Sequence, residues 1–250
     1  MNFLKKIFSK KSRPEQVGFF CTELSKTLGF QIDNITIYQQ AFTHRSLNKL
    51  DGNGNQINYE RLEFLGDAVL GNVIALYLFN TAPHGNEGYL TKMRAKIVSR
   101  EHMNSVGKKL NLLDLIDSKI SKDSFGDNVY GNLLEALIGA IYLDKGFEIT
   151  EKFIQNRIIN EFKDLEDLEN KITSYKSLII EHCQKNKKTI YFDTYEDEGA
   201  EIVKYFAVKL YIDNQLIVKA RATSKKKAEE KASQRAYFAL QQVIQTNIKK

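Results

Sequence analysis

Residues 59–70 read YERLEFLGDAVL, and the chain then stays apolar as far as Phe79. Apolar side chains three and four residues apart predict an α-helix over this stretch. At about 100° per residue, Glu60, Glu63 and Asp67 lie within an arc of about 60° on one face of that helix. Glu63 and Asp67 are four residues apart, a like-charged spacing that destabilises an isolated helix by about 0.2–0.5 kcal/mol. No Lys or Arg lies on the same stripe to neutralise these carboxylates.

A second apolar helix is predicted over VYGNLLEALIGAIYLDKG (129–146), where Asn132 and Glu135 lie three residues apart on one face. A glycine inside a helix costs about 1 kcal/mol relative to alanine, a cost that is tolerated where two backbones approach closely. The two helices contain four such glycines, at Gly66, Gly71, Gly131 and Gly139.

Burying an ionised carboxylate without a partner costs several kcal/mol, and a hard divalent cation would offset that cost. We therefore predict that the two helices bring their oxygen-bearing faces together around Mg²⁺, for which Mn²⁺ can substitute. The alternative is a pair of partly exposed helices whose charges simply meet water.

The composition narrows the class of protein. A chain of 250 residues with 42% hydrophobic residues can form one large domain or two modest ones. The net charge of +6 and the pI near 9.0 favour an anionic partner. Two distant cysteines exclude a disulfide scaffold. The N-terminal stretch lacks the apolar run of a signal peptide, and no later stretch is expected to reach the length of a membrane span, so we expect a soluble cytoplasmic protein.

The predicted secondary structure changes near residue 163. Helical periodicity dominates before it, most clearly over 59–79, 90–111, 129–144 and 149–162. After it come one helix, three strand-like runs (TIYFDTYE, VKYFAVKLYI and QLIVKARAT) and a last helix that begins at the N-cap Ser224. We predict a basic tail (1–16), an all-α domain (17–163), an acidic linker (164–172), an α-β-β-β-α domain (173–243) and a C-terminal tail (244–250). The acidic segment can also be one solvated face of a continuing helix.

These motifs resemble those of the ribonuclease III family. The stretch ERLEFLGDA is similar to its central motif, and AFTHRS (41–46), GYLTKMRAKIVS (88–99) and GNLLEALIGAIYLDKG (131–146) follow in the family's order. The segment ATSKKKAEEKAS (222–233) resembles the marker of a double-stranded-RNA-binding domain. The resemblance implies an all-α endonuclease domain followed by a small α+β RNA-binding domain. It also implies a homodimer that cuts duplex RNA with Mg²⁺, without a small-molecule cofactor or a membrane.

By motif position, the resemblance makes Glu63, Asp67 and Glu135 metal ligands, and Glu60 the remaining acidic residue that shapes the catalytic site. One departure concerns Asn132, which stands where the family usually has Asp. An amide oxygen can still ligate a metal, but it adds no negative charge, so we expect an active site with weaker Mg²⁺ affinity.

In the C-terminal domain we predict RNA contacts for six residues, five from the resemblance and Lys204 from its charge alone. Lysines at the start of the last helix meet phosphates at a helix N-terminus, where the helix dipole also favours an anion. The positions assigned are Lys225, Lys226, Lys227, Glu181, Gln184 and, more weakly, Lys204. The loop GAEIVKYF (199–206) lacks the Pro and His that many such domains have there, which makes its contact doubtful.

The resemblance thus implies an endoribonuclease that processes precursor ribosomal RNA and structured messenger RNA, with 5′-phosphate and 3′-hydroxyl products. The chief alternative is a duplex-RNA-binding scaffold with a weak or inactive nuclease domain. A carboxylate–metal protein of unrelated fold is a second alternative. Family relatives that have lost activity typically lack several carboxylates, whereas this chain lacks one.

Overall fold

Apolar periodicity forms helices throughout the first part of the chain. The computed structural model describes residues 14–162, 164–170, 172, 174–197 and 204–248. The chain divides into two compact units, with the division between residues 171 and 172. The first unit contains α1 (Pro14–Leu28), α2 (Ile35–Ala41), α3 (Glu60–Thr81), α4 (Glu87–Ile97), α5 (Arg100–Lys109), α6 (Val129–Arg157) and α7 (Leu165–Asn170).

Two helix boundaries differ from the prediction for local reasons. The helix predicted over 90–111 is two helices, because Ser99 between α4 and α5 has an extended backbone, with ψ of 139°. The helices predicted over 129–144 and 149–162 are assigned as the single helix α6, which is kinked at Gly146, where φ is +75°. A positive φ suits glycine, so the predicted break survives as a kink.

Helix α3 packs with α6 at the centre of the first unit. Its buried residues include Leu70, Val73, Ile74 and Leu78, which belong to the same apolar core as Leu137 of α6. Within the described residues, α3 is the one helix long and apolar enough to cross a membrane by length and composition. The prediction that no stretch reaches that length was therefore wrong, because a core helix has the same composition.

The acidic segment predicted as a linker (164–172) contains a helix. Leu168 of α7 is 2% exposed and packs in the core of the first unit. The buried Lys96 of α4 donates hydrogen bonds to the carbonyl oxygens of Leu168 and Glu169, at 3.1 and 2.5 Å. The linker prediction thus does not describe residues 165–170, because one apolar side chain and one lysine anchor them.

The second unit has the predicted order α-β-β-β-α. It consists of α8 (Tyr175–Lys185), β1 (Ile190–Asp197), β2 (Tyr205–Ile212), β3 (Gln215–Ala222) and α9 (Lys225–Ile248). The strands form an antiparallel sheet in the order β1-β2-β3. Asp213 and Asn214 both have positive φ between β2 and β3, as a two-residue hairpin turn requires. One face of the sheet packs on both helices, with Cys183, Ala228 and Ala232 fully buried.

Both predicted tails overlap the ends of helices in the described part of the chain. The predicted N-terminal tail (1–16) lies outside the described residues up to position 13, and residues 14–16 belong to α1. Helix α9 runs to Ile248, so most of the tail predicted for 244–250 is helical. The fold class itself is as predicted, an all-α domain followed by a small α+β domain.

Candidate functional site

Helices α3 and α6 approach each other at two glycines. A Cβ atom added to Gly66 would lie 1.7 Å from the carbonyl oxygen of Glu135. A Cβ added to Gly139 would lie 2.3 Å from the carbonyl oxygen of Leu62. Both distances are far below any van der Waals contact, so only glycine fits at either position. The crossing therefore places the Glu63 and Asp67 face of α3 directly beside Glu135 of α6.

The other two predicted glycines have different roles. A Cβ added to Gly71 would meet nothing within 4 Å, so no backbone approaches there. Gly131 packs against α5, where the Asn104 side-chain oxygen accepts a hydrogen bond from its N–H at 2.8 Å. The prediction that all four glycines join α3 to α6 is therefore correct for two of them. Sequence spacing shows that a glycine is on a face, but it does not show which neighbour the face meets.

Burial and neighbouring carboxylates raise the pKa of Glu135 and of Glu63 at the crossing. Burial is the largest cause of the rise in the pKa of Glu135 to about 7, and the charges of Asp67 and Glu63 add to it. The pKa of Glu63 is also raised, first by burial and then by Glu60 and Asp67. Glu63 and Glu135 are half-buried, whereas Asp67 is exposed. The three carboxylates therefore share one region of negative potential, although they come from two helices.

Two arginines from other elements partly neutralise this region. Arg100, the first residue of α5, lowers the pKa of both Glu63 and Glu135. Arg45 forms an ion pair with Glu60 at 3.5 Å, and both side chains are largely exposed. The stripe on α3 lacks a cation of its own, and its partners come from regions distant in sequence. Local spacing could not reveal them.

Asn132 hydrogen-bonds to a neighbour of the acidic stripe. Burial and the charges of Glu63 and Glu60 raise the pKa of Tyr59, and a hydrogen bond from the Asn132 side chain to the Tyr59 hydroxyl partly offsets that rise. Tyr59 is buried and immediately precedes α3. The predicted site did not include Tyr59, because its place in the sequence does not show which side chain its hydroxyl group meets. Asn132 is thus half-buried beside the acids and held by a hydroxyl group.

Among the described residues, no three His, Cys, Asp or Glu side chains form a group spaced to hold a metal ion. The donor chemistry nevertheless fits a divalent cation. Glu63, Asp67 and Glu135 interact closely enough to shift pKa values, and Arg100 only partly offsets their charge. Carboxylate oxygens are the ligands that hard divalent cations prefer.

His44 of the AFTHRS motif makes packing and hydrogen-bond contacts within the first unit. The Nδ1 atom of His44 accepts a hydrogen bond from the backbone N–H of Ser46 at 3.1 Å. The His44 ring lies 5.0 Å from the Phe125 ring in an edge-on arrangement. Burial and the charge of Arg45 lower the pKa of His44. His44 therefore packs between Ser46, Tyr59 and Phe125 in the first unit.

The predicted RNA-binding residues of the second unit differ in solvent exposure and in whether they form ion pairs. Lys225, Lys226 and Lys227 are all exposed at the start of α9, where the Ser224 hydroxyl accepts a hydrogen bond from the Lys227 N–H at 3.3 Å. Lys204 forms an ion pair with Glu196 at 2.8 Å. On α8, Glu181 forms an ion pair with Lys185 at 3.4 Å, and Gln184 is exposed. The three lysines of α9 are thus exposed beside a capped helix N-terminus.

Family models match both units. The model of Ribonuclease-III-like proteins matches residues 34–162, and the model of the double-stranded RNA binding motif matches residues 175–240. A Ribonuclease 3 from Flavobacterium psychrophilum is 58% identical over 98% of this chain and 99% of its own length. A Ribonuclease 3 from Zunongwangia profunda is 58% identical over 92% of this chain and 95% of its own length.

A solved structure supports the assignment of the first unit. The nuclease domain of ribonuclease III from Campylobacter jejuni, described for structural flexibility in a region involved in dimer formation, is 32% identical with a TM-score of 0.50. The match covers 56% of this chain and 97% of that domain. Because two matched domains follow in the same order and close relatives align along nearly the full chain, the protein belongs to the ribonuclease III family.

Proposed function

We propose that this protein hydrolyses double-stranded RNA at the acidic face where α3 crosses α6, leaving 5′-phosphate and 3′-hydroxyl ends. The observation that carries the proposal is the pKa of Glu135, which is about 7 because of burial and the charges of Asp67 and Glu63. Such a group of carboxylates has a high affinity for a divalent cation, because the cation relieves both burial and repulsion. Family membership supports the same activity.

We assign Glu63, Asp67 and Glu135 as the ligands of Mg²⁺, with Mn²⁺ as a substitute. Asn132 adds a neutral oxygen, and its hydrogen bond with Tyr59 holds it beside Glu135. Glu60 shapes the edge of the site through its ion pair with Arg45. When bound, the cation would activate water and stabilise the charge that develops on the phosphate and on the leaving oxygen. Arg100 supplies a positive charge that helps to hold Glu63 and Glu135 ionised.

The second unit supplies the affinity for duplex RNA. Lys225, Lys226 and Lys227 add three cations to the N-terminus of a long helix, where backbone N–H groups and the helix dipole also favour phosphate. Glu181 and Gln184 on α8 can meet 2′-hydroxyl groups. Recognition of this kind depends on A-form shape and 2′-hydroxyls with little dependence on base sequence. Lys204 contributes less, because Glu196 already neutralises it.

We further propose that the protein acts as a homodimer. Phe64 on α3 is 81% exposed, although α3 is otherwise a core helix. It borders a concavity of about 680 Å³ whose lining includes Leu62, Leu65 and Leu143. An exposed aromatic side chain beside an apolar concavity is typical of an interface between subunits. Burial of Phe64 in a second copy would also place a second acidic face in the same assembly.

The proposed substrates are duplex regions of precursor ribosomal RNA and of structured messenger RNA in the cytoplasm. This part of the proposal rests on family membership. The alternative function, a duplex-RNA-binding scaffold with weak catalysis, is favoured by one observation, the neutral Asn132 in place of a carboxylate. Three coupled carboxylates beside it favour the enzyme.

The deciding experiment incubates the intact protein with long duplex RNA and MgCl₂, and compares wild type with Glu135→Gln. We expect discrete cleavage by wild type and none by Glu135→Gln, with duplex binding retained by both. Glu148→Gln is the matched control, because it is the same substitution at an exposed position of α6. Tight binding without cleavage by wild type would support the scaffold instead.

A further inference from the structure

The β-sheet of the second unit has a face that neither helix covers. The strand register places Tyr191 opposite Tyr211, and Tyr195 and Tyr205 lie on the same face of the sheet. Tyr191 is 63% exposed and Tyr195 is 41% exposed, whereas Leu210 and Val208 on the opposite face are buried. We call this surface the tyrosine face; it consists of Tyr191, Tyr195, Tyr205, Tyr211, Lys209, Lys219 and Arg221.

Two cations on the tyrosine face lie beside aromatic rings. The Lys209 ammonium lies 5.1 Å from the centroid of the Tyr195 ring. The Arg221 guanidinium lies 3.9 Å from the centroid of the Tyr205 ring. Each cation is within the distance of an attractive cation–π contact. Asp193 and Asp197 alternate with the tyrosines along β1, whereas the cations lie on β2 and β3.

The charge balance of the tyrosine face favours an anion. Lys209 and Lys219 are directly opposite on neighbouring strands, a like-charged pairing that destabilises a sheet. Asp193 lies 3.9 Å from Lys209, and Asp197 lies 2.6 Å from Arg221. Two carboxylates therefore face three cations, and one positive charge is in excess. A phosphate group would relieve the repulsion between the two lysines.

A concavity of about 460 Å³ lies at one end of the tyrosine face. Its lining residues are Thr189, Tyr191, Asp193, Tyr211 and Asn214. The rings of Tyr191 and Tyr211 are 6.2 Å apart and inclined by 36°. Small-molecule sites typically measure about 300–1,000 Å³, so a nucleobase fits this concavity. The hydroxyl, carboxylate and amide side chains around the two rings can hydrogen-bond to a base edge.

We propose that the tyrosine face binds single-stranded RNA by stacking of its bases on the exposed tyrosines. Proteins that bind single strands combine aromatic rings with positive charges, because every base has a π-face and every nucleotide has a phosphate. The lysine cluster of α9 suits a duplex, whereas the tyrosine face presents rings that a base inside a duplex cannot reach. The proposed ligand is the unpaired strand that flanks a duplex, and the site is independent of the cleavage proposal.

The test measures binding of the intact protein, in EDTA to prevent cleavage, to fluorescein-labelled oligoadenylate, oligouridylate and a blunt duplex. We expect oligoadenylate to bind more tightly than oligouridylate, because a purine offers more area for stacking. Tyr191→Ala should weaken single-strand binding about 5- to 100-fold and leave duplex binding unchanged. Tyr191→Phe, which keeps the ring, should bind like wild type, and Lys226→Ala should weaken only the duplex.

The chain contains no tryptophan and 12 tyrosines, so stacking on one tyrosine is measured as the difference in emission quenching between wild type and its alanine variant. We expect oligoadenylate to quench this emission in wild type and to quench it less in Tyr191→Ala. Tyr195→Ala is a second variant for the case in which Tyr191→Ala unfolds. Equal single-strand affinity for wild type and for both alanine variants would overturn the proposal. Loss of a higher oligomer in Tyr191→Ala, without loss of RNA binding, would overturn it in favour of contact with a second copy of the chain.

Discussion

The two units of this protein place their charges in opposite ways. At the crossing of α3 and α6, Glu63 and Glu135 are partly buried, and burial together with neighbouring carboxylates raises the pKa of both. At the start of α9, three consecutive lysines are exposed in the first turn. Buried groups interact strongly because solvent screens them poorly, whereas exposed charges act almost independently. Substitutions at the crossing should therefore have large and coupled effects, and substitutions on α9 should have small and additive ones.

The largest expected effect is that of Gly66→Ala. Its Cβ would lie 1.7 Å from the Glu135 carbonyl oxygen, so α3 and α6 would have to separate. We expect the free energy of unfolding to fall by about 3 kcal/mol or more, with loss of duplex cleavage. Thermal unfolding and a cleavage assay measure the two effects.

The matched control for Gly66→Ala is Gly71→Ala on the same helix. A Cβ at Gly71 would meet nothing within 4 Å, so alanine should stabilise the helix by about 0.5–1 kcal/mol. If both variants behaved alike, the crossing would not depend on the close approach of the α3 and α6 backbones. The contrast between the two units would then not hold.

The second largest effect concerns Glu135→Gln. The pKa of Glu135 is raised from an ordinary value of 4.5 to about 7, so the folded state favours the protonated form. Ionisation therefore lowers the stability of wild type as pH rises from about 4.5 to about 7. Without divalent cations, Glu135→Gln should be more stable than wild type by about 1–2 kcal/mol at about pH 8, a value reduced for partial exposure.

The stability difference between Glu135→Gln and wild type should disappear at about pH 4, where Glu135 is protonated in both states. Added Mg²⁺ should also reduce it, because the cation stabilises the ionised carboxylates of wild type. Thermal unfolding at both pH values, with and without MgCl₂, measures these changes, and Glu148→Gln serves as control. A pH-independent difference would contradict the coupling of Glu135 to Asp67 and Glu63.

The sequence was sufficient for the acidic face but not for its surroundings. Helical spacing placed Glu63 and Asp67 on one stripe, and the structure puts that stripe beside Glu135 through Gly66 and Gly139. Tyr59 was not predicted as part of the site, because its contact comes from tertiary packing rather than from spacing along one helix. Helix periodicity fixes the direction of a side chain, whereas the partner in that direction depends on the whole fold.

The strands illustrate the same limit. Their sequences predicted three strands, which the structure contains. They did not reveal that Tyr191 lies directly opposite Tyr211, because register depends on how two strands pair. The tyrosine face could therefore be recognised only after the fold was known.

A smaller effect is expected for Lys226→Ala. Removal of one exposed lysine should weaken duplex binding about 3- to 10-fold and reduce the slope of log affinity against log salt by about 0.9. The turnover rate at saturating RNA should stay unchanged, because Lys226 lies in the second unit and the carboxylates in the first. Fluorescence anisotropy across a salt series measures the slope.

Lys204→Ala sharpens the prediction for Lys226. The Glu196 carboxylate is 2.8 Å from Lys204, so this lysine releases fewer counterions on binding RNA. Its alanine variant should change the salt slope less than Lys226→Ala does. A larger change for Lys204 would mean that the ion pair opens on RNA and that the loop before β2 is a main contact.

The smallest expected effect is that of Asn132→Asp, which adds a single charge at the crossing of α3 and α6. Asn132→Asp places a fourth carboxylate near Glu135, so the half-saturating Mg²⁺ concentration for cleavage should fall roughly threefold. In the absence of Mg²⁺ the same charge should raise the pKa of Glu135 further and lower stability at about pH 8. Tyr59→Phe removes the hydroxyl that pairs with Asn132 but adds no charge, so it should leave the stability at this pH less affected. An unchanged Mg²⁺ requirement in Asn132→Asp would show that charge count does not limit metal affinity here, and that the amide does what a carboxylate would do.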